Sequence, residues 1–257
     1  MKKILIWFKK TFVVLFWLCV WQILYLLIDN KILLAGPLET LKVFFRQAVT
    51  LKFWQTVLFS FSRIGLGFFL AFFAGLFTAS VSCKWNWFDE FLSPVIQFMK
   101  SIPVASFVIL ALIWTGAKNL SVFISFLVVY PILYISTLTG LKNTDQKLLE
   151  MAQVFGIPFH KKIFFLYRPA LYPHLYSACK SALGMGLKSG IAAEVIGVPS
   201  GSVGEGLYSS KIYLDTAGLF SWTLTIILLS TIFEKLVLFI LKKCSGKGAI
   251  SHDKTKQ

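Results

Sequence analysis

Glu150 to Pro169 reads EMAQVFGIPFHKKIFFLYRP, a polar island between hydrophobic runs long enough to cross a bilayer. Gln146 to Phe155 has the spacing of a short amphipathic helix, and Gly156 suits the left-handed position just past its end. Pro158 then stands where a first helical turn tolerates a missing N–H. A second short helix, Phe159 to Tyr167, carries His160, Lys161 and Lys162 ahead of Ile163, Phe164 and Phe165, and Pro169 is expected to turn the chain back into the membrane. Two short helices joined at a fixed elbow make a knob suited to a socket on a soluble partner.

The composition around this island excludes an ordinary soluble domain. Of 257 residues, 57% are hydrophobic and 14% charged, with a mean hydropathy of +0.75, against about half apolar and a quarter charged in globular proteins. The expected fold class is all-α and integral to the membrane. Lys and Arg number 26 against 11 Asp and Glu, a net charge of +15. In a soluble protein that balance points to nucleic acid. Here many of the basic residues sit at the ends of apolar runs, as cytoplasmic flanks do, and no nucleic-acid partner is expected. Cys19, Cys83, Cys179 and Cys244 have no CxxC or metal-type spacing, so free thiols and no metal site are expected.

Outward from the island, the apolar runs count to about six transmembrane helices. Lys2, Lys3, Lys9 and Lys10 precede the uncharged run Thr11 to Ile28, a first span with its basic end in the cytoplasm. That run is longer than the apolar region of a signal peptide and lacks a small-x-small cleavage site. Between Asp29 and Lys52, residues Leu38, Leu41, Phe44, Phe45 and Ala48 recur at helical spacing opposite Glu39, Lys42 and Arg46, the pattern of an interfacial amphipathic helix. Ile64 to Cys83, bounded by Arg63 and Lys84, is the expected second span, with Gly67 and Gly75 available for close packing. Phe91 to Ala117 is interrupted by Pro94, Lys100 and Pro103, and Gly116 to Asn119 makes a tight turn. Leu120 to Leu141 forms the fourth span, kinked at Pro131, followed by the cytoplasmic elbow. Ala170 to Val198 is the fifth. Ala217 to Phe233, continued to Leu241, is the sixth, and Lys242, Lys243 and Lys247 leave both termini cytoplasmic. The chain thus divides into residues 1–52 (first span and amphipathic helix), 53–243 (the main transmembrane domain) and 244–257 (a short basic cytoplasmic tail).

Three positions stand out as candidates for a translocation pathway. Pro103 lies in Met99 to Ala105, where two readings stay open: irregular backbone lining a watery cavity, or an interfacial start before the true span. Lys188 and Glu194 lie deep in the fifth run, where ionisable groups are costly unless paired or hydrated. Both are expected to face the interior of the protein and not lipid. Six positions place them on different faces of one straight helix, so each is expected to find its partner elsewhere. Lys180, nearer the cytoplasmic end, can snorkel. Gly197 to Gly206, GVPSGSVGEG, lacks the GKS/T ending of a phosphate cradle and reads as an external turn, with a re-entrant course left open.

The island resembles the coupling loop of ABC importer permease subunits, in which E-A-A is followed after three residues by G and after nine more by I-x-L-P. Glu150, Met151 and Ala152 stand for E-A-A, Gly156 for G, and Leu166 to Pro169 for I-x-L-P, with Met151 and Arg168 as departures. The Ser62-Arg63-x-x-x-Gly67-Phe68 pattern is similar to the nitrate, sulfonate and taurine branch. The resemblance covers about Trp54 to Lys243. It implies that Glu150, Met151, Ala152, Gly156, Pro158, Lys161 and Pro169 meet an ATP-binding subunit, which holds the ATP and Mg; this chain has no cofactor of its own and is not itself an enzyme. It further implies an extracytoplasmic solute-binding protein, a second permease copy as a homodimer, and a multi-pass location in the cell membrane. No Walker A sequence is present. The competing reading is a secondary transporter for a small anion, but of the intramembrane carboxylates such a protein needs, only Glu194 is available.

Overall fold

The computed structural model describes residues 2–30 and 32–245, with side chains over 11–30 and 32–243. Lys31 and the greater part of the basic tail lie outside them. Every regular element described is helical: α1 (Lys2–Ile28), α2 (Pro37–Ala48), α3 (Leu51–Lys84), α4 (Asn86–Ser101), α5 (Val104–Lys142), α6 (Gln146–Val154), α7 (Phe159–Lys162), α8 (Arg168–Gly197), α9 (Val203–Ile212) and α10 (Thr216–Ser245). Four stretches are long and apolar enough to span a bilayer: Thr11–Ile28, Leu51–Lys84, Val104–Lys142 and Thr216–Lys243.

Three helices form the centre. Two hydroxyl pairs one turn apart, Thr78 with Tyr130 at 3.0 Å and Ser82 with Tyr134 at 2.8 Å, join α3 to α5 at a constant offset. A constant offset means that the two helices run parallel. Small residues bring them together: a methyl on Gly67 would fall 2.9 Å from Ser125 Cβ, and one on Gly75 would fall 3.2 Å from Leu133 Cβ. On the other side of α5, a methyl on Gly186 of α8 would lie 2.6 Å from Val129 Cγ2. Lipid is as apolar as leucine, so burial alone does not drive such association; close packing and interhelical hydrogen bonds worth about 0.6 kcal/mol each do. Phe68, Leu133, Tyr134, Cys179 and Leu183 fill the resulting core.

The helix α3 is longer than its uncharged run. It starts at Leu51 and not near Ile64, because nothing from Leu51 to Arg63 breaks a helix and Thr50 caps it, its hydroxyl accepting from Phe53 N at 3.4 Å. At ~1.5 Å per residue it extends about 51 Å, well beyond a hydrocarbon core of roughly 30 Å. Its first turns pack against α10, with Phe53 stacked on Trp222 at 5.3 Å between ring centroids.

The interrupted third run resolves into α4, an extended link at Ile102 and Pro103, and the first part of α5. Gly116, at φ 70° and ψ 163°, then breaks the helical path of α5, a conformation open mainly to glycine. α8 is long enough to span but not apolar enough, since it carries Lys180, Lys188 and several glycines. It packs against the other helices along one side, where Ala182, Leu183, Gly186, Leu187, Gly190 and Ile191 are buried.

Candidate functional site

The elbow sits at the turn of the α5–α8 hairpin. Its two arms touch where Gly140 of α5 meets Leu171 of α8; a methyl there would lie 3.0 Å from Leu171 Cδ1 and 3.2 Å from its Cα. Asp145 opens α6, its carboxylate accepting from Lys147 N at 2.9 Å. Gly156, at φ 64°, closes it: Ile157 N donates to Ala152 O at 2.9 Å and Gly156 N to Gln153 O at 3.0 Å. This paired closure satisfies carbonyls that the last turn leaves free. Pro158 caps α7, and its carbonyl accepts from Lys161 N and Lys162 N.

Pro169 does not turn the chain. From Phe159 the helix runs through a widened π turn, Ile163–Tyr167, straight into α8. Arg168 N donates to Ile163 O across five residues, and the wider turn accommodates the proline without a break. Arg168, where the family pattern has leucine, lays its guanidinium over the Phe164 ring at 4.6 Å.

Among the resemblance-derived positions, Ala152 is fully buried, while Glu150, Gly156, Pro158, Lys161 and Pro169 are exposed. Met151 is 45% exposed, and Val154, Phe155 and Phe159 beside it are 84%, 74% and 72% exposed. That is a large bare apolar surface for an otherwise polar elbow.

Close to the elbow's base, a polar network fastens α4 to the α3–α5 pair. Asp89 Oδ1 accepts from Tyr134 OH at 2.9 Å, and Asp89 Oδ2 pairs with Lys142 Nζ at 2.7 Å. The hydrogen bond from Lys142 holds the Asp89 carboxyl below its ordinary range, with Tyr134 adding to the effect against the pull of burial.

The opposite end of the same helices holds the buried carboxylate. Glu194 is 0% exposed; its Oε2 accepts from Ser60 Oγ at 2.6 Å and from Gly204 N at 3.3 Å. Ser60 Oγ also accepts from Val203 N at 2.9 Å. The Gly197–Gly206 segment is therefore not a plain turn. Val198 takes a left-handed conformation, Ser202 caps α9 by accepting from Glu205 N at 2.9 Å, and the first amides of α9 point at the Ser60–Glu194 pair. A carboxylate is favoured at a helix N-terminus, where amides lack partners.

The three pathway candidates are not brought together. Pro103 is exposed at the α4–α5 link, Lys188 is exposed on α8 and Glu194 is buried six residues on. Sequence reasoning missed Ser60, Asp89 and Tyr134. Ser60 lies 134 positions from its carboxylate, beyond any local spacing signal.

Residues 42–245 match the family described as binding-protein-dependent transport system inner membrane component. Among similar proteins is the putative aliphatic sulfonates transport permease protein SsuC of Bacillus subtilis, 22% identical over 92% of this chain and 86% of that protein. The bicarbonate transport system permease protein CmpB of Synechocystis is 30% identical, over 63% of this chain and 57% of its own length. The taurine transport system permease protein TauC of Escherichia coli is 26% identical over 58% and 54%. This chain, with its helices of membrane-spanning length, belongs to the inner-membrane components of binding-protein-dependent transport systems, the permease subunits of ABC importers.

Proposed function

We propose that this chain crosses the membrane six times with both termini in the cytoplasm, pairs with a second copy of itself, and imports a small anion at the expense of ATP hydrolysed by a separate subunit. The observation that carries this reading is the elbow: Glu150, Met151, Val154, Phe155 and Phe159 present an exposed, mostly apolar knob at the turn of the α5–α8 hairpin. The ATP-binding subunit provides the socket, together with its ATP and Mg. Because the π turn makes α7 and α8 one continuous rod, a push on the knob is transmitted along α8 to Glu194 and α9 at the far end. Movement there opens and closes the extracytoplasmic side to the solute-binding protein. Of the six spans, the third runs from Phe91 in α4 through the first part of α5, and the fifth is α8.

An anionic solute is supported by the sulfonates and bicarbonate in the names of two relatives, and by the positive charge of Lys188, exposed on the single chain. Uptake into vesicles carrying the chain with its ATP-binding subunit and candidate binding proteins tests the reading. Uptake that needs all three components and ATP is the expected result. Equal uptake without the ATP-binding subunit, driven by an ion gradient, would overturn it.

A further inference from the structure

A cavity of about 590 Å³ opens between α3 and the second part of α5, away from the elbow, and its Arg63 lies one turn from Ser60, the partner of the buried Glu194. Its walls come in three rungs, because the two helices run parallel: Arg63 with Asn119, Leu66 with Val122, and Leu70 with Phe126. Each rung is three or four residues beyond the last, so all lie on facing stripes. The first rung is charged and the other two are apolar.

The direct contacts of Arg63 are a neutral amide and an aromatic ring. Its Nη2 donates to Asn119 Oδ1 at 2.7 Å, and its guanidinium lies 5.0 Å from the Phe59 ring centroid. Asn119 is neutral, and among the described residues Arg63 makes no salt bridge. Its Nε is buried without a hydrogen-bond partner. The carboxylate of Glu194 acts on it only at a distance, with its Oε2 held by Ser60 and Gly204 and its Oε1 buried without a hydrogen-bond partner. A guanidinium has five donors in a planar fork that matches an oxyanion.

Depth sets the identity of that oxyanion. Arg63 stands 21 residues before Lys84, which ends α3 beside the Asp89–Lys142 pair. At ~1.5 Å per residue this is about 31 Å, one hydrocarbon thickness. Arg63 and Asn119 thus lie at the headgroup boundary of the opposite leaflet, and Leu66, Leu70 and Phe126 continue from there toward the bilayer centre. Leu66 and Leu70 are 54% and 51% exposed. A charged group at the boundary followed by an apolar channel running inward has the polarity of a phospholipid, not of a small hydrated solute.

We propose that this cavity is a binding site for an anionic phospholipid of the leaflet on the α9 side, its phosphate on Arg63 and one acyl chain along Leu66, Leu70 and Phe126. The site is separate from the coupling elbow and its test involves neither ATP nor transport, so its failure would leave the proposed function standing.

The chain is purified in a neutral detergent and its retention of phosphatidylglycerol and phosphatidylcholine is compared by native mass spectrometry, with the thermal midpoint as a second readout. Phosphatidylglycerol is expected to be held about fivefold more tightly, the effect of one basic side chain at a lipid surface, and to raise the midpoint. Arg63→Gln should abolish the preference and Arg63→Lys should keep part of it. Leu70→Trp, which fills the cavity and leaves the charge in place, should weaken retention of both lipids; it also decides the matter if Arg63→Gln fails to fold. Inorganic phosphate should not displace the lipid, and displacement by it would reassign the site to a free anion. Equal retention of the two lipids by the unmodified chain, a preference that survives Arg63→Gln, or a cavity closed by a second copy and indifferent to Leu70→Trp would each overturn the proposal.

Discussion

Ser60 Oγ donates to Glu194 Oε2 at 2.6 Å and accepts from Val203 N at 2.9 Å, so one hydroxyl ties α3, α8 and the start of α9 together. All of this is buried, Ser60 and Glu194 both being 0% exposed. Removing one member of a buried network leaves the others without partners, at a cost of about 1–3 kcal/mol. Glu194→Ala should lower the thermal midpoint and expose residues 197–206 to protease. Glu194→Gln keeps the size and an acceptor oxygen and should do much less. Protease resistance unchanged in Glu194→Ala would show that the carboxylate does not hold the segment.

Gly156 meets nothing within 4 Å of the place a methyl would occupy, yet its φ is 64°. The cost of a side chain there is conformational only, about 1–2 kcal/mol for a left-handed residue, and greater for a β-branched one. Gly156→Val should therefore impair ATP-dependent uptake more than Gly156→Ala, with membrane insertion of both near normal. Full uptake and full ATPase association by Gly156→Val would exclude the elbow as a mechanical contact.

The Asp89–Lys142 pair predicts a pH dependence. The folded-state pKa of Asp89 is lowered by Lys142, so its contribution to stability is present above the ordinary carboxylate range and is lost as pH falls through the lowered value. Both side chains are partly exposed, 26% and 46%, which limits the effect to well under ~1 kcal/mol. The midpoint difference between the unmodified chain and Asp89→Asn should be small at neutral pH and vanish in acid. A difference that grows on acidification contradicts this assignment.

Lys188 offers a positive point on α8, on the exposed side of a helix that is otherwise packed. Lys188→Met should reduce uptake of an anionic solute while leaving expression and assembly with the ATP-binding subunit intact. Unchanged uptake would make it a structural lysine.

What the sequence determined by itself is what local chemistry controls. The composition set the membrane class. Gly156 marked the end of α6, Pro103 and Gly116 marked breaks, and the spacing from Glu150 to Pro169 carried the family. Each depends on backbone preferences acting within about one turn. The unbroken passage through Pro169 and the burial of Glu194 were decided by tertiary structure. A proline breaks an isolated α-helix, but here a widened turn absorbs it while α8 packs on α5. A charged residue in an apolar run announces that it needs a partner. Only the fold, by setting α3 against α8 and bending α9 back toward them, could make that partner Ser60.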